Sequence, residues 1–459
     1  MTRLLFALMA GLLAAPHLPA ADTAKLNVLL IAVDDLRDTL GCYGHAAVKS
    51  PNIDRLAARG VRFDRAYVQY PVCNPSRSSF LTGLRPDQTG VTDNTTLLRD
   101  KLPDVVTFPQ LLKENGWHST AFGKIFHLGG GRNAALKSKW MDLPKSWHSA
   151  EAYQATAAGQ KKLAGRNLTD GKLNWCHWGM MDGGDEDQPD GQISRAVIQK
   201  IESLGDQPWI IAAGFMKPHD PFVAPKKYFD LYPEGSLKLH RDPKAITPAP
   251  PLAVGFGAYG EAFGKFTDAE RMEFLRAYYA CTSFMDAQVG RVLDTLDRLK
   301  LWDRTVVIFL GDHGYHLGER DWWNKNTLFD RSCRAPLIIA APGVKPGVAR
   351  GLVEFVDLYP TIAELCGLKS PASLAGQSLR PLLNDPAKPG RSAAFTLVTR
   401  GPKQRGDSIR TDRWRYTEWS DGQRELYDHD SDSEETRNVV AANPEVARLL
   451  KEQLHAARK

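Results

Sequence analysis

The sequence predicts an α/β fold, a sheet covered by helices on both faces, and three observations carry that expectation. Short, continuously apolar runs of strand length recur along the chain, as strands buried on both faces require. Longer stretches between them repeat their apolar residues at helical spacing. A chain of 459 residues that is 43% hydrophobic and 24% charged, with six cysteines, must be held by a hydrophobic core rather than by disulfides.

Taken in chain order, the run Asn27-Val28-Leu29-Leu30-Ile31-Ala32-Val33 reads as the first buried strand. Helical periodicity follows over residues 52–59 and 108–115. A helix over 193–204 leads into a second buried strand at 209–214. The longest helical pattern, 268–299, precedes strands at 306–310 and 336–340. Two long Gly- or Pro-containing connections, 129–144 and 239–260, are expected to be loops that serve as walls or lids. A domain boundary is expected near 382–390; beyond it, alternating runs at 394–399, 407–410 and 414–418 and a helical pattern at 444–457 predict a small antiparallel sheet with one helix. The G-x-G-x-x-G pattern at Gly255-Phe256-Gly257-Ala258-Tyr259-Gly260 follows a proline-rich stretch rather than a strand, which excludes a dinucleotide site.

The N-terminus has a different character. Arg3, an apolar run over 4–15 and small residues up to Ala21 form the pattern of a secretory signal peptide over 1–21. That run is well short of the roughly 20 residues a membrane span needs. An exported protein, periplasmic or secreted and with no membrane span in the mature chain, is expected. The net charge of +6 is mild and lacks the concentrated basic stripe of a nucleic-acid binder. The triplets Asn94-Thr95-Thr96 and Asn167-Leu168-Thr169 would accept glycans only in a eukaryotic host.

Chemistry concentrates where strands end. Val33 runs into Asp34-Asp35, and Leu310-Gly311 runs into Asp312-His313. Adjacent carboxylates repel unless a cation lies between them, and three carboxylates with one imidazole would suit Ca²⁺ or Mg²⁺. A further segment, Pro71-Val72-Cys73-Asn74-Pro75-Ser76-Arg77, places a cysteine in a polar turn before a helical pattern, with a cation four residues on. That setting stabilises a thiolate or another anion.

The pattern Cys73-x-Pro75-Ser76-Arg77 followed by Leu81-Thr82-Gly83 resembles the signature of the type I, formylglycine-dependent sulfatases. Further segments are similar to the iduronate-2-sulfatase-like branch: Gly123-Lys124 with His127, Lys217-Pro218-His219, and Gly311-Asp312-His313-Gly314 with Lys325. His313 stands where many sulfatases carry asparagine, a departure this branch shares. The resemblance implies an alkaline-phosphatase-like fold: a large, mostly parallel central sheet flanked by helices in a catalytic domain over 22–385, and a small C-terminal subdomain over 386–459. It implies that Cys73 becomes formylglycine by a maturation enzyme and that one Ca²⁺ is held by Asp34, Asp35, Cys73, Asp312 and His313. It further implies that Arg77, Lys124, His127, His219 and Lys325 act in catalysis on a sulfated carbohydrate such as a uronate 2-O-sulfate. Whether His313 ligates the ion or only borders it stays open, and Lys217 is left outside the catalytic set. His316, Trp322 and Trp323 could stack on a sugar or pack the wall. With Cys73 consumed, five cysteines remain and no pairing is predicted. Two rival readings remain: a phosphodiesterase or phosphonate monoester hydrolase, and a non-catalytic sulfated-glycan-binding protein with an unmodified Cys73.

Overall fold

The computed structural model describes residues 25–129 and 133–458, so the expected 1–21 leader lies outside the described residues. Fifteen strands are seen: β1 (Asn27–Val33), β2 (Val61–Tyr67), β3 (His118–Gly123), β4 (Ser149–Glu151), β5 (Lys162–Ala164), β6 (Trp178–Met181), β7 (Trp209–Phe215), β8 (Phe222–Pro225), β9 (Thr305–Gly311), β10 (Leu337–Ala340), β11 (Gly347–Glu354), β12 (Ala394–Thr399), β13 (Arg405–Arg410), β14 (Trp414–Trp419) and β15 (Arg424–Asp428). Eight of them form one sheet in the order β11-β2-β10-β9-β1-β7-β3-β4. Only β10 runs antiparallel to its neighbours there, so the sheet is mostly parallel.

The alternation within β1 shows why this sheet is buried. Val28, Leu30 and Ala32 enter one apolar cluster, while Leu29, Ile31 and Val33 enter the cluster on the opposite face. The helix Asp268–Arg298 starts from Thr267, whose hydroxyl accepts the Glu270 amide while Glu270 reaches back, a reciprocal cap that fixes its first turn. Met285, Val289, Val292 and Leu296 then recur at helical spacing against one face of the sheet. A four-stranded antiparallel sheet, β12-β13-β14-β15, carries the helix Pro444–Ala457, which packs Ala447, Leu450 and Leu454 on Ile409, Tyr416 and Leu426.

Some elements depart from the expectation in instructive ways. Strand β3 has the sequence His-Ser-Thr-Ala-Phe-Gly, and its serine and threonine are buried because partners are supplied; Ser119 Oγ donates to the Ser146 carbonyl at 2.7 Å. Strand β11 contains a register shift between Ala349 and Leu352, which hides its period. The 129–144 connection is not wholly irregular: Asn133 caps a helix, Ala134–Trp140, by accepting the Leu136 amide at 3.0 Å. The second long connection ends in the helix Gly257–Phe263, so the glycine-rich pattern has no strand before it. A three-stranded sheet, β5-β6-β8, was not indicated by the sequence pattern.

The two larger sheets meet through a buried ionic network. Arg415 of β14 donates to Glu435 at 2.5 Å and to Asp330 at 2.8 Å, and Arg334 donates to the other Asp330 oxygen at 2.8 Å. Burial opposes the ionisation of Glu435, but Arg415 and His429 outweigh it and bring its pKa down from 4.5 to about 2. Since the folded value lies below the unfolded one, this stabilisation is complete above pH 4.5 and is lost as the pH falls toward 2. Glu435→Gln is therefore expected to lower the unfolding free energy at pH 7 by roughly 3–5 kcal/mol. Denaturant melts of both proteins should show that difference shrinking below pH 4.5; a difference independent of pH would contradict the assignment.

Candidate active site

Strand register builds the site. Val33 of β1 lies beside Gly311 of β9 and Phe215 of β7, and Gly214 of β7 lies beside Gly123 of β3. Four adjacent parallel strands thus end on one edge, where sites of open α/β sheets form. Their continuations carry Asp34-Asp35 after β1, Asp312-His313 after β9, Lys124 after β3, and the turn bearing His219 after β7. A Cβ on Gly214 would stand 2.3 Å from the Lys124 backbone, so that glycine lets the lysine's chain cross close over β7. The helix Cys73–Thr82 brings Cys73 at its first position and Arg77 one turn later.

The predicted residues converge. Arg77, wholly buried, donates through Nε to Asp312 at 2.8 Å, and its Nη2 stands 3.4 Å from Asp34. A further Arg77 nitrogen donates to the Lys124 and Ile125 carbonyls. Lys124 Nζ donates to Asp34 at 2.5 Å, while Lys325 Nζ donates to Asp35 and lies 3.3 Å from Cys73 Sγ. The Asp35 amide, at a positive φ of 60°, donates to Asp312 at 3.0 Å. His219 Nε2 stands 3.9 Å from both Asp34 and Asp35. His127 is packed edge-on to Trp140, and its buried Nδ1 has no hydrogen-bond partner.

Burial and charge set the protonation states. Burial pushes the Cys73 thiol up, but Lys124, Lys325 and contacts from His127 and His219 hold it well below the ordinary thiol range. Asp34 is pushed up by burial and by Cys73, yet Lys124, His219 and Arg77 prevail and hold it low. Asp312 moves the other way, to about 7, because burial is only partly offset by His313 and Arg77. Burial lowers His127, and Cys73 only partly offsets it.

These residues suit a hard divalent cation. The ligand atoms of Asp34, Cys73, Asp312 and His313 lie within 4.8 Å of one another, as do those of Asp34, Asp35, Cys73 and His219. Asp35 Oδ2 is buried with no hydrogen-bond partner, an orphaned carboxylate oxygen of the kind an ion satisfies. His313 Nδ1 donates to the Gly314 carbonyl at 2.9 Å, which turns Nε2 toward the carboxylates as the ring of a ligating histidine is turned.

Residues 26–368 match the sulfatase family model. The chain belongs to the sulfatase family. Residues 318–459 also match the C-terminal model of N-sulphoglucosamine sulphohydrolase. This sulfatase is 34% identical to human iduronate 2-sulfatase, with 87% of the chain and 86% of that protein covered. It is 32% identical to a sulfatase of Formosa agariphila, with 91% and 83% covered. It is thus a type I, iduronate-2-sulfatase-like sulfatase with the alkaline-phosphatase-like fold. The phosphonate monoester hydrolase of Agrobacterium radiobacter has the same fold, at a TM-score of 0.80, 22% identity and 95% coverage of each chain.

Other residues take clear positions. Trp322 and Trp323 do not offer a sugar platform: both are buried in an aromatic cluster with Phe256, Phe263, Phe266 and Phe274. His316 is buried as well, bonded to Thr327 at 2.8 Å. Their apolar area is worth more in this packing than exposed on a wall. Lys217 holds the His219 turn, donating to the His219 and Pro221 carbonyls at 2.9 and 2.6 Å. Sequence reasoning missed Asp190, whose carboxylate accepts the Met216 and Lys217 amides at 2.8 and 3.0 Å and clamps the same turn. Its only sequence signal is an acid in the first turn of the helix Pro189–Leu204. Among the described residues all six cysteines are unpaired.

Arg77→Gln would leave Asp34 and Asp312 buried without their shared cation. The metal-free protein is expected to lose roughly 3–5 kcal/mol of unfolding free energy, read by denaturant titration in chelator; an unchanged midpoint would contradict this role.

Proposed function

We propose that this sulfatase removes the sulfate ester of a uronate 2-O-sulfate or a related polysaccharide-derived sugar, using a formylglycine made from Cys73 and one bound Ca²⁺. The observation that carries the reading is the setting of Cys73: a helix N-terminus, two lysine ammonium groups and a carboxylate–imidazole cluster around one sulfur. Identity to human iduronate 2-sulfatase supports the uronate. In this reading residues 22–385 form the catalytic domain, 386–459 wall its pocket, a maturation enzyme oxidises Cys73, and the 1–21 leader directs export to the periplasm or medium. Among the described residues no helix is long and apolar enough to cross a membrane.

The chain's own groups divide the work. Cys73 Sγ marks where the oxygens of the formylglycine hydrate would stand, one of them the nucleophile. Asp34, Asp35, Asp312, His313 and the modified Cys73 would hold the ion, which supplies Lewis-acid stabilisation of a sulfate oxygen. A sulfate monoester carries one diffuse negative charge, and Lys124 and Lys325 set two ammonium groups around the reacting residue to receive it. Arg77, locked by Asp312 and Asp34, orients that residue. His219 Nδ1 donates to the Asp220 carbonyl at 2.6 Å, which leaves Nε2 to carry the proton passed to the departing sugar oxygen. Burial favours neutral His127, whose role is to take the proton of the second hydroxyl as sulfate is eliminated and the aldehyde re-forms.

The fold of the phosphonate monoester hydrolase supplies a second reading, hydrolysis of a phosphate diester or phosphonate. Purified, matured protein assayed on sugar sulfates, an aryl sulfate and a phosphate diester separates the two; higher kcat/KM on the diester sinks the first. Intact-peptide mass spectrometry should find residue 73 about 18 Da lighter than cysteine, and an unmodified thiol in protein made with its maturation machinery would favour a binding role.

His219→Ala is expected to lower kcat on a sugar sulfate by about 10²–10⁴. The loss should be smaller on an aryl sulfate, whose leaving group needs little protonation; an equal loss on both would remove His219 as the acid. Chelation should abolish activity and lower the melting midpoint, and added Ca²⁺ should restore both. Full activity after exhaustive chelation would overturn the metal assignment.

A further inference from the structure

Arg400 directly follows β12, a strand bonded to the 68–70 segment that leads to Cys73. Its Nε donates to the Leu252 carbonyl at 3.1 Å, Nη1 to Asn326 Oδ1 at 3.0 Å and the Thr399 carbonyl at 3.2 Å, and Nη2 to the Asn326 carbonyl. These four bonds leave one of the five guanidinium N–H donors unused. Phe256 lies under the guanidinium, 3.9 Å from ring centroid to its carbon, and fixes its plane.

Every oxygen that holds Arg400 is neutral. Nearby arginines of the small sheet are compensated: Arg405 by Asp87 and Asp407, Arg413 by Asp428, and Arg415 by Asp330 and Glu435. No carboxylate among the described residues pairs with Arg400, and burial with no acid pulls its pKa down to about 10. A partly buried charge held rigidly and left unneutralised is unfavourable unless an anion arrives.

Position says which anion. Asn326 adjoins Lys325, whose ammonium touches Asp35 and lies 3.3 Å from Cys73 Sγ. Asn326 also donates its amide to the Pro71 carbonyl at 3.1 Å, two residues before Cys73, and takes a left-handed φ of 68° to do so. Arg400 is therefore bonded to the residue that directly follows the lysine assigned to the reacting sulfate. Its remaining N–H, on a guanidinium that is held in place and always charged, can donate to one oxygen of a carboxylate or a sulfate.

We infer that Arg400 is a specificity residue of the pocket, receiving a second anionic group of the substrate beside the ester that is cleaved. The inference rests on the sugar-sulfatase reading above, and the second anion is either a carboxylate or a further sulfate. The test uses matured full-length protein, wild type, Arg400→Gln and Arg400→Lys, on four compounds. These are a uronate 2-sulfate, its carboxyl methyl ester, D-glucosamine N,6-disulfate and 4-nitrophenyl sulfate. Arg400→Gln should lower the ratio of kcat/KM for the two-anion substrate over 4-nitrophenyl sulfate at least tenfold, mainly through KM. Arg400→Lys, which keeps the charge but loses the guanidinium's anchoring bonds, should recover part of it. Sensitivity confined to the free uronate, and lost on its methyl ester, identifies a carboxylate; sensitivity on the disulfated amino sugar identifies a sulfate. An unchanged ratio, or parallel losses on all four compounds, overturns the role of Arg400 while leaving the uronate reading intact. Wild type inactive on the uronate yet Arg400-dependent on the disulfate sinks the uronate and keeps Arg400. Should Arg400→Gln fail to fold, the wild-type preference for free acid over ester and the Arg400→Lys ratio decide; no preference and no change overturn the inference.

Discussion

Three carboxylates buried within a few ångströms of one another are the constraint around which this molecule is organised. Asp34, Asp35 and Asp312 sit at the ends of adjacent strands, and among the described residues Arg77, Lys124, Lys325 and His219 lie close enough to compensate them. Two carboxylates sharing one arginine are pushed in opposite directions: burial raises both, but Lys124 and His219 help hold Asp34 low, while His313 and Arg77 only partly offset the burial of Asp312. The close crossing of the Lys124 backbone over Gly214 and the left-handed turn at Asp35 are the local geometry that brings these charges together.

That charge cluster needs a stiff support, and the structure supplies it from both sides. Apolar side chains from alternate positions of β1 lock the strand on two faces, so its carboxyl end cannot shift without opening two clusters. The histidine turn after β7 is held separately, by the Asp190 carboxylate on its backbone and by Lys217 on its carbonyls. On the open side, the small sheet docks through Arg415, Asp330 and Glu435 and sets Arg400 beside the Lys325 segment. The same docking that stabilises the smaller sheet thereby holds Arg400 against Asn326.

The long apolar strands and helices were legible because their burial is two-sided or amphipathic, and both leave a period in the sequence. The β3 strand was not, since its serine and threonine gain their burial from partners such as Ser146 that lie far along the chain. Trp322 and Trp323 show the complementary limit. An aromatic pair beside a reactive lysine reads equally as platform or core, and only the position of Phe256, Phe263 and Phe274 around them decides for core.

By itself the sequence determined the chemical inventory: acids at two strand ends, a cysteine heading a helix, and lysines and histidines in ordered short motifs. These are local features, set by the identity of neighbouring residues and the strand or helix they interrupt. Tertiary structure alone decided which of them meet, because the side-by-side register of β9, β1, β7 and β3 brings together residues 277 positions apart, such as Asp35 and Asp312. It also decided that Lys217 and Asp190 brace the His219 turn, and that Arg400, unlike Arg405, Arg413 and Arg415, stands without an acid. Compensation of a buried charge is a property of three-dimensional neighbours, and no spacing along the chain records it.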